Sequence, residues 1–486
     1  MLLVNTGKLG TSTPLGISTS QLGSEGSVDG YWIRNPHGVY YQAHDIGNVL
    51  LMVPSAVLGS ALSNAPPAEK IWSPPILTRV AVAITCSLIS AIGCFFMFRL
   101  FSLFHALRTA FLLSFAFTTT TFFWAYSKSA WDVLGACVGV CILLYFSATI
   151  LGEERVQNRV IFFVGGALIL AGSFRYSLAP FLVLSVLALF YFARPKVTWR
   201  HTMLFLFVVL VGMAPTFIYN FVRTGSFLIP ALAVGPLNPN GLTLAQGQWQ
   251  QTLTVSIGDM IQKFFWLILS PNKGLFVFAP ILLLLFAVPF VWRTFPTPAR
   301  HLILSFSIGA VLYVLLISSL EHWSGFAWGP RYLLPILPIL FFAVGMTLVS
   351  LWGKYKYPLI GLIFLSFVLN AAPVLVNWNL AVGNDPRAEY DEYALFPYSH
   401  AAVWNGLSLA MQGQPLPAPE DVANDPVRSR GARFPDLWTF RLMEYSTTGL
   451  LAGSIILLAL SGTALKCFVK LTVSRGSGIR PRGQAP

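Results

Sequence analysis

Charged residues are scarce in this sequence. Only 10% of its 486 residues are Asp, Glu, Lys or Arg, whereas 55% are hydrophobic and the mean hydropathy is +0.68. An ordinary soluble protein has about one quarter charged residues. The composition therefore excludes a soluble globular protein and predicts an all-α polytopic membrane protein, because helices satisfy their own backbone hydrogen bonds within lipid.

Cysteines and ligand-binding motifs are also scarce. The chain contains no Walker loop, dinucleotide glycine fingerprint or HExxH motif. The cysteines all lie inside apolar segments, where they are placed neither to bind a metal nor to staple an exposed loop. The sequence assigns no metal ligands, and a divalent metal cofactor stays open. The five cysteines are Cys86, Cys94, Cys137, Cys141 and Cys467.

The positive charge is distributed in a way that excludes nucleic-acid binding. The net charge is +13, but lysines and arginines are spread through short loops between apolar runs. Alternate basic loops face the cytoplasm under the positive-inside rule. The predicted cytoplasmic basic residues are Arg99, Arg108, Arg155, Arg159, Arg194, Lys196, Arg200, Arg293, Arg300, Lys354 and Lys356, followed by Lys466, Lys470, Arg475, Arg480 and Arg482 of the tail.

Apolar runs of helical length predict about eleven membrane-spanning helices. A shorter run at 49–62 predicts an interfacial helix, because it is too short to cross a bilayer comfortably. The spans are expected at 76–98, 106–125, 131–151, 160–174, 177–192, 202–221, 275–292, 302–320, 332–351, 358–377 and 448–466.

The acidic residues indicate which face carries chemistry. Of the 18 acidic residues, only Glu153 and Glu154 lie in the predicted cytoplasmic loops, so nearly every candidate general base lies on the outer face. The predicted organisation is an extracytoplasmic segment 1–45, a multi-helix core 46–377, an extracytoplasmic loop or small cap 378–447, a last helix 448–466 and a basic cytoplasmic tail 467–486.

A polar and aromatic turn stands directly against a long apolar helix at 319–338, SLEHWSGFAWGPRYLLPILP. It combines ionisable side chains, flat aromatic rings and flexible glycines, which is the make-up of a binding site. The alternative is that these residues only anchor the chain at the membrane interface. Its polar and aromatic members include Glu321, His322, Trp323, Phe326, Trp328 and Arg331.

Two basic residues lie on the predicted outer side, where the positive-inside rule does not require them. Lys273 and Arg331 each open a predicted spanning helix from the outer side. Together with backbone amides at the starts of those helices, they would suit a phosphate or diphosphate held at the interface. The alternative is that both side chains only reach toward lipid head groups.

Further candidates are weaker as isolated signals. Asp132 at the start of one helix and Arg175 between two short segments are charges at the membrane edge, which are often functional. Asp132 could equally cap its helix. His37 and His44 lie near Asp45, an arrangement that supports acid–base chemistry, metal coordination or plain polar surface.

Three stretches resemble the GT-C class of integral-membrane glycosyltransferases, which includes bacterial family 39 relatives, protein O-mannosyltransferases and lipid A aminoarabinose transferases. The similarity runs over most of residues 30–380, through GVYYQAHDIGNVLLMVPSAVLG, SPNKGLFVFAP and, most specifically, WSGFAWGPRYLLPILP. The resemblance implies transfer of a sugar from a polyprenyl-phosphate donor to a lipid, glycan or protein acceptor. It also implies a bacterial plasma membrane with the active face outside.

The resemblance implies that Arg331 lies near the donor phosphate, with Lys273 as the second candidate cation. The expected mechanism is a direct inverting displacement, in which a carboxylate deprotonates the acceptor hydroxyl and cations stabilise the leaving lipid phosphate. We expect further substrate contacts from His44, Tyr41, Trp328, Tyr332, Glu321, His322, Asp132 and Arg175.

One departure concerns the catalytic base. The resembled family carries an acidic residue just after a first transmembrane helix, and this chain shows neither that helix nor a clear counterpart. Three explanations stay open: the native protein is longer at its N-terminus, catalysis has been lost, or a residue such as Asp45, Asp29 or Glu25 acts as the base. We expect the first of these.

Two other classes of function are alternatives. A transporter or flippase for a lipid-linked solute would also need cations at the outer mouth, but it should carry polar groups at mid-membrane and repeated halves. The sequence shows no such repeat, and mid-helix positions carry mainly hydroxyls such as Thr118 and Thr121. The second alternative is a catalytically inactive relative that serves as a membrane scaffold.

Overall fold

The structure is a computed structural model of the chain, and its description covers most of the predicted core. The predicted helix at 448–466 and the tail lie outside the described residues apart from residue 455, as does most of the predicted cap. The described residues are 10–11, 32–34, 40–42, 45–63, 76–128, 131–194, 196–224, 227, 256–320, 328–376, 378, 398–412 and 455.

The described part of the chain is mainly helical, as predicted. Its α-helices are α1 (Ile46–Ser63), α2 (Ile76–Ser102), α3 (Leu107–Thr119), α4 (Phe123–Tyr126), α5 (Asp132–Gly152), α6 (Asn158–Phe174), α7 (Ala179–Phe192), α8 (Trp199–Thr224), α9 (Ile257–Leu269), α10 (Leu275–Phe278), α11 (Val288–Val291), α12 (Thr297–Ser318), α13 (Leu337–Leu375) and α14 (Tyr398–Met411).

A helical membrane protein is the architecture that these apolar helices support, but the predicted count of about eleven spans is not confirmed. Within the described residues, 5 helical segments are long and apolar enough to cross a membrane. Shorter apolar helices account for several of the other predicted spans. The 5 segments are Val80–Ser102, Asp132–Gly152, Trp199–Arg223, Thr297–Ser318 and Arg331–Leu375.

A small antiparallel sheet precedes the helices, and the all-α prediction did not include it. Strands β1 (Gly10–Thr11), β2 (Trp32–Arg34) and β3 (Tyr40–Gln42) pair in the order β1-β3-β2. Residue 41 of the central strand is opposite residue 10 on one side and residue 33 on the other. Strands of two or three residues are too short to show the alternating pattern by which a strand is recognised in a sequence.

The predicted span at 275–292 is not one continuous α-helix. It consists of α10, a 3-10 helix (Pro280–Ala287), α11 and a second 3-10 helix (Trp292–Thr294). Pro280 and Pro289 explain the interruptions, because proline has no N–H to donate to the carbonyl one turn earlier.

The longest helix, α13, contains the two predicted spans at 332–351 and 358–377. A 3-10 helix (Arg331–Ile336) leads into it, and its backbone leaves the helical conformation at Tyr355, with φ −122° and ψ 30°. Pro358 lies three residues later and cannot donate the helical hydrogen bond back to residue 354. The side chains at 353–358 are exposed. These features indicate a turn at Tyr355.

Contacts at the two ends of this segment support the turn. A straight helix of 39 residues would hold its ends about 58 Å apart. Both ends nevertheless meet residues 126–128: the Tyr126 hydroxyl donates to the Trp328 carbonyl at 2.8 Å, and Lys128 Nζ donates to the Val376 carbonyl at 2.8 Å. The segment is therefore a helical hairpin with its tip at Tyr355, and its two arms correspond to the two predicted spans.

The loops fall into two sets at opposite ends of the helices. We call the end that holds 126–132, 175–176 and 328–331 the site end, and the end that holds the hairpin tip the opposite end. Predicted cytoplasmic loops meet one another at the opposite end, as their alternation along the chain requires. These contacts are Phe192 stacked on His301 at 4.7 Å, Thr294 hydrogen-bonded to Ser350 at 2.9 Å, and His105 against Met346 at 3.3 Å. Which side of the membrane this end faces stays a prediction.

Candidate functional site

Close packing of α5 against α6 brings Asp132 and Arg175 together. Gly135 and Gly139 lie one turn apart on α5, and a Cβ on Gly139 would stand only 2.7 Å from the backbone nitrogen of Ala171 on α6. Small residues at this spacing let two helix backbones approach closely in a membrane. The first residue of α5, Asp132, therefore meets Arg175, which directly follows α6.

Asp132 and Arg175 form a buried ion pair. Arg175 Nη1 donates to Asp132 Oδ2 at 2.8 Å, and the two side chains are 3% and 11% exposed. The N-cap position of α5 belongs to Trp131, so the alternative that Asp132 caps this helix is wrong. Removing one partner from a pair this deeply buried would leave an uncompensated charge.

Arg331 is held in a fixed orientation by two aromatic rings. Gly329, two residues earlier in the chain, has a φ of +65°, a conformation that favours glycine. Arg331 Nη2 donates to the Tyr332 hydroxyl at 2.7 Å. Its guanidinium carbon lies 4.6 Å from the ring centroid of Trp131 and 4.7 Å from that of Tyr332. Cation–π attraction and the hydrogen bond together fix the plane of the guanidinium group.

Tyr332 links the two arginines. The Arg175 guanidinium carbon lies 4.4 Å from the Tyr332 ring centroid, so both guanidinium groups contact the same buried ring. Four residues predicted for the site thus lie in one contiguous group. We call it the arginine cluster, and its members are Trp131, Asp132, Arg175, Arg331 and Tyr332.

Asp45, the predicted base, lies in a second buried group beside the same corner. Arg223 Nη2 donates to Asp45 Oδ1 at 2.6 Å, and the backbone N–H of Tyr176 donates to Asp45 Oδ2 at 3.0 Å. Arg223 also donates to the Asn220 side-chain oxygen at 3.2 Å. Both carboxylate oxygens of Asp45 are therefore engaged. Because Tyr176 follows Arg175, Asp45 and Asp132 hold adjacent residues of one corner.

Trp328 is the centre of an aromatic group under the 328–331 turn. It is completely buried, and its ring lies 4.8 Å from Phe278 and 4.8 Å from His400. His400, on α14, also stacks on Phe278 at 4.3 Å. Burial lowers the pKa of His400 to about 4, so the ring is neutral at pH 7. Helix α14 belongs to the predicted cap region and packs directly on the site end.

Lys273 lies in the loop between α9 and α10 and is completely buried. A lysine reaching toward lipid head groups would expose its ammonium group, so burial contradicts that alternative for Lys273. The loop is fixed by Asn272, whose side-chain oxygen accepts from the Ser399 backbone at 2.9 Å and from its hydroxyl at 2.6 Å. Phe278, at the end of α10, connects this loop to Trp328.

Several predicted site residues lie outside the part of the chain that the structure describes. They are Asp29, His44, Glu321 and His322. Tyr41 is described only as a backbone position of β3. Their proposed roles stay predictions. Among the described residues, no group of three or more His, Cys, Asp or Glu side chains could hold a metal ion.

No family model and no curated protein sequence matches this chain. Two solved structures from Archaeoglobus fulgidus are similar to it at 12% sequence identity. One is an oligosaccharyltransferase in complex with zinc and sulfate, with a TM-score of 0.39, covering 82% of this chain and 49% of that protein. The other is the oligosaccharyltransferase AglB in complex with an inhibitory peptide and a dolichol-phosphate, with a TM-score of 0.40, covering 92% and 53%. The chain spans about half the length of these proteins, and a similarity of this size assigns it to no family.

Sequence reasoning missed several residues that build the site end. Arg223, the partner of Asp45, lies two residues after the predicted span 202–221, and nothing in the sequence distinguishes it from an ordinary flanking arginine. Trp131 and Tyr126 lie in the short segment 125–132 beside the predicted site residue Asp132, and the sequence alone assigns their aromatic rings no role. The Gly135–Gly139 spacing was the one available signal for the Asp132–Arg175 contact.

Proposed function

We propose that this chain is a membrane glycosyltransferase that moves a sugar from a polyprenyl-phosphate donor to a lipid, glycan or protein acceptor on the outer face of the membrane. The observation that carries the proposal is the placement of Arg331. The carbon of its half-buried guanidinium group lies 4.6 Å from the Trp131 ring centroid and 4.7 Å from the Tyr332 ring centroid, at the start of the apolar segment Arg331–Leu375.

This placement suits a ligand that has an anionic head and a long apolar tail. A guanidinium group of fixed orientation presents paired donors that match a phosphate group. Exposed apolar side chains on the neighbouring helices, such as Phe115, Leu365 and Phe364, can contact the tail or membrane lipids. The completely buried Lys273 in the neighbouring loop is the second cation that we propose for the donor phosphate.

The proposed reaction is a direct displacement with inversion at the sugar carbon. A carboxylate takes the proton of the acceptor hydroxyl, the hydroxyl oxygen bonds to the anomeric carbon, and the bond from that carbon to the phosphate oxygen breaks. Its electron pair leaves on the lipid phosphate, whose charge Arg331 stabilises. Asp45 and Asp29 remain the proposed bases, with Arg223 orienting the Asp45 carboxylate. A divalent cation is compatible with this mechanism but is not required by it.

Binding of decaprenyl phosphate to the purified full chain tests the proposal, with decaprenol as the uncharged control lipid. We expect the wild-type protein to prefer the phosphate, and Arg331→Lys to weaken its binding about 10-fold or more, because lysine cannot copy the planar paired donors. Arg99→Lys is a matched control, since Arg99 also lies over a tyrosine ring, at 5.7 Å from Tyr145, and donates to its hydroxyl at 3.2 Å.

Three results would change the proposal. Equal binding of decaprenyl phosphate and decaprenol by the wild-type protein would reject it. Equal losses in Arg331→Lys and Arg99→Lys would reduce Arg331 to an interface anchor. Movement of decaprenyl phosphate across a proteoliposome membrane would instead support a flippase. For the base, loss of sugar transfer in Asp45→Asn or Asp29→Asn, but not in both, would identify the residue.

A further inference from the structure

Arg175 has donors that find no acceptor. One nitrogen, Nη1, is bonded to Asp132, but Nε and Nη2 are buried and make no hydrogen bond with any side chain or carbonyl in the part of the chain that the structure describes. The residue is only 2% exposed. Buried polar groups without partners are rare in proteins and call for a specific explanation.

Tyr313, on α12, adds a third such group at the same place. The residue is completely buried, and its hydroxyl lies beside the Arg175 guanidinium group without a hydrogen bond of normal geometry to any described residue. Its ring packs against that of Phe181 on α7, with the ring centroids 6.0 Å apart. Two buried guanidinium donors and one buried hydroxyl thus lie close together, and the Tyr313 oxygen is the one acceptor among them, while its own proton has no acceptor in the described part of the chain.

The missing acceptor lies close to the proposed donor phosphate. The Arg175 and Arg331 guanidinium carbons are 4.4 Å and 4.7 Å from the same Tyr332 centroid, which places them less than about 10 Å apart. A single phosphate bound at Arg331 would leave the Arg175 and Tyr313 donors unmet. A second phosphate joined to the first would supply anionic oxygens within this range.

We propose that Arg175 and Tyr313 form a second anion subsite, and that the donor lipid carries two linked phosphate groups, one at Arg331 and one at Arg175. The inference rests on the proposed function and narrows its donor class to polyprenyl diphosphates. During transfer, the bond from the anomeric carbon to the adjoining phosphate oxygen breaks, and its electron pair leaves on the polyprenyl diphosphate. The Tyr313 hydroxyl and Arg175 stabilise that charge without becoming covalently involved.

The test measures dissociation constants of decaprenyl diphosphate and decaprenyl phosphate with the full chain. We expect the wild-type protein to bind the diphosphate about 10-fold or more tightly than the monophosphate. Tyr313→Phe keeps the ring and removes only the hydroxyl, so it should reduce that preference about 10-fold while leaving monophosphate binding nearly unchanged. Tyr145→Phe, a tyrosine substitution at the opposite end, should alter neither constant.

A second substitution, at Arg175, tests the same subsite independently of Tyr313. Arg175→Lys keeps a positive charge opposite Asp132 but removes the unpaired Nε and Nη2 donors, so it too should lower the diphosphate preference. Equal wild-type affinity for the two lipids would overturn the inference and leave the proposed function standing. Equal weakening of both lipids by Tyr313→Phe would also overturn it. Failure of the wild-type protein to bind either lipid would reject the proposed function itself.

Discussion

Arginines at the two ends of the molecule make the same local contact in different surroundings. At the site end, Arg331 lies 4.7 Å from the Tyr332 ring and donates to its hydroxyl at 2.7 Å. At the opposite end, Arg99 lies 5.7 Å from the Tyr145 ring and donates to its hydroxyl at 3.2 Å. The same arginine–tyrosine contact therefore occurs at both ends of the molecule.

The two contacts differ in the residues that surround the tyrosine ring. Tyr332 is buried and its ring also receives Arg175, which is paired with Asp132, whereas Tyr145 is half-buried and packs against Phe96 and Phe146. A second cation and a carboxylate are costly to bury unless they serve a purpose. The additional buried charges, Arg175 and Asp132, distinguish the candidate site from a membrane anchor, because both ends share the arginine–tyrosine contact.

The largest expected effect is a difference in thiol labelling, because the two ends of the molecule should face opposite sides of the membrane. In a cysteine-free background, Met411→Cys at the site end and Tyr357→Cys at the hairpin tip should react with an impermeant thiol reagent from opposite sides. Both positions are exposed, at 69% and 82%. The positive-inside rule predicts outside labelling of position 411 and inside labelling of position 357.

Labelling of both positions from one side would break the hairpin assignment, because the tip and the site end would then share a face. Labelling from opposite sides in the reverse sense would preserve the hairpin and overturn the predicted orientation. Labelling in permeabilised cells provides the control for accessibility.

The next effect concerns stability. Asp132→Ala should lower the free energy of unfolding by about 3–5 kcal/mol, because it leaves the buried Arg175 guanidinium without its carboxylate. Arg99→Ala at the opposite end should cost about 1 kcal/mol or less, since that contact is exposed. Denaturant unfolding of the detergent-solubilised chain would measure both.

A double variant checks the cause of that loss. Asp132→Ala combined with Arg175→Met removes the uncompensated charge and should recover most of the stability. If the double variant is less stable than Asp132→Ala alone, the ion pair is not the reason for the loss.

The smallest expected effect is a pH dependence at the site end. His400 titrates near 6.5 in the unfolded chain and, because burial disfavours its charged form, near 4 in the folded protein. Between these values the unfolded chain binds more protons, so stability is complete above about pH 6.5 and falls as the pH drops toward 4. The melting temperature should fall by about 1 °C per pH unit in this window.

Two substitutions separate His400 from the other titrating groups. His400→Phe should flatten the pH dependence between about pH 6.5 and 4, because phenylalanine takes no proton. His105, at the opposite end, is less completely buried and burial also lowers its pKa, so His105→Phe should flatten the profile less. An unchanged profile in His400→Phe would contradict the assignment.

The sequence could predict the helical architecture because apolar runs are local. The spans at 131–151 and 160–174 coincide closely with α5 and α6. The interruptions of the predicted span at 275–292 did not follow from its hydropathy, because hydropathy does not record the backbone N–H groups that proline lacks. Pro280 and Pro289 in the sequence were the available signal. The short strands were missed because they contain too few residues for any pattern.

The site was only partly accessible to sequence reasoning, since its contacts join distant residues. Asp132 and Arg175 were each noted as charges at the membrane edge, but nothing along the chain paired them. Arg223 and His400 had no local signal, because their roles follow from the residues that face them: Asp45 for Arg223, and Phe278 and Trp328 for His400. Three-dimensional packing alone supplies those partners.

The residues that form the anion site are far apart in the sequence, so they are synthesised at different times. A chain is made from its N-terminus, so Tyr126 emerges 202 residues before Trp328, and Lys128 emerges 248 residues before Val376. A nascent chain that ends before residue 331 already contains the Asp132–Arg175 pair but has no second arginine beside it. A chain truncated at that length would lack the arginine that we propose to retain a lipid phosphate.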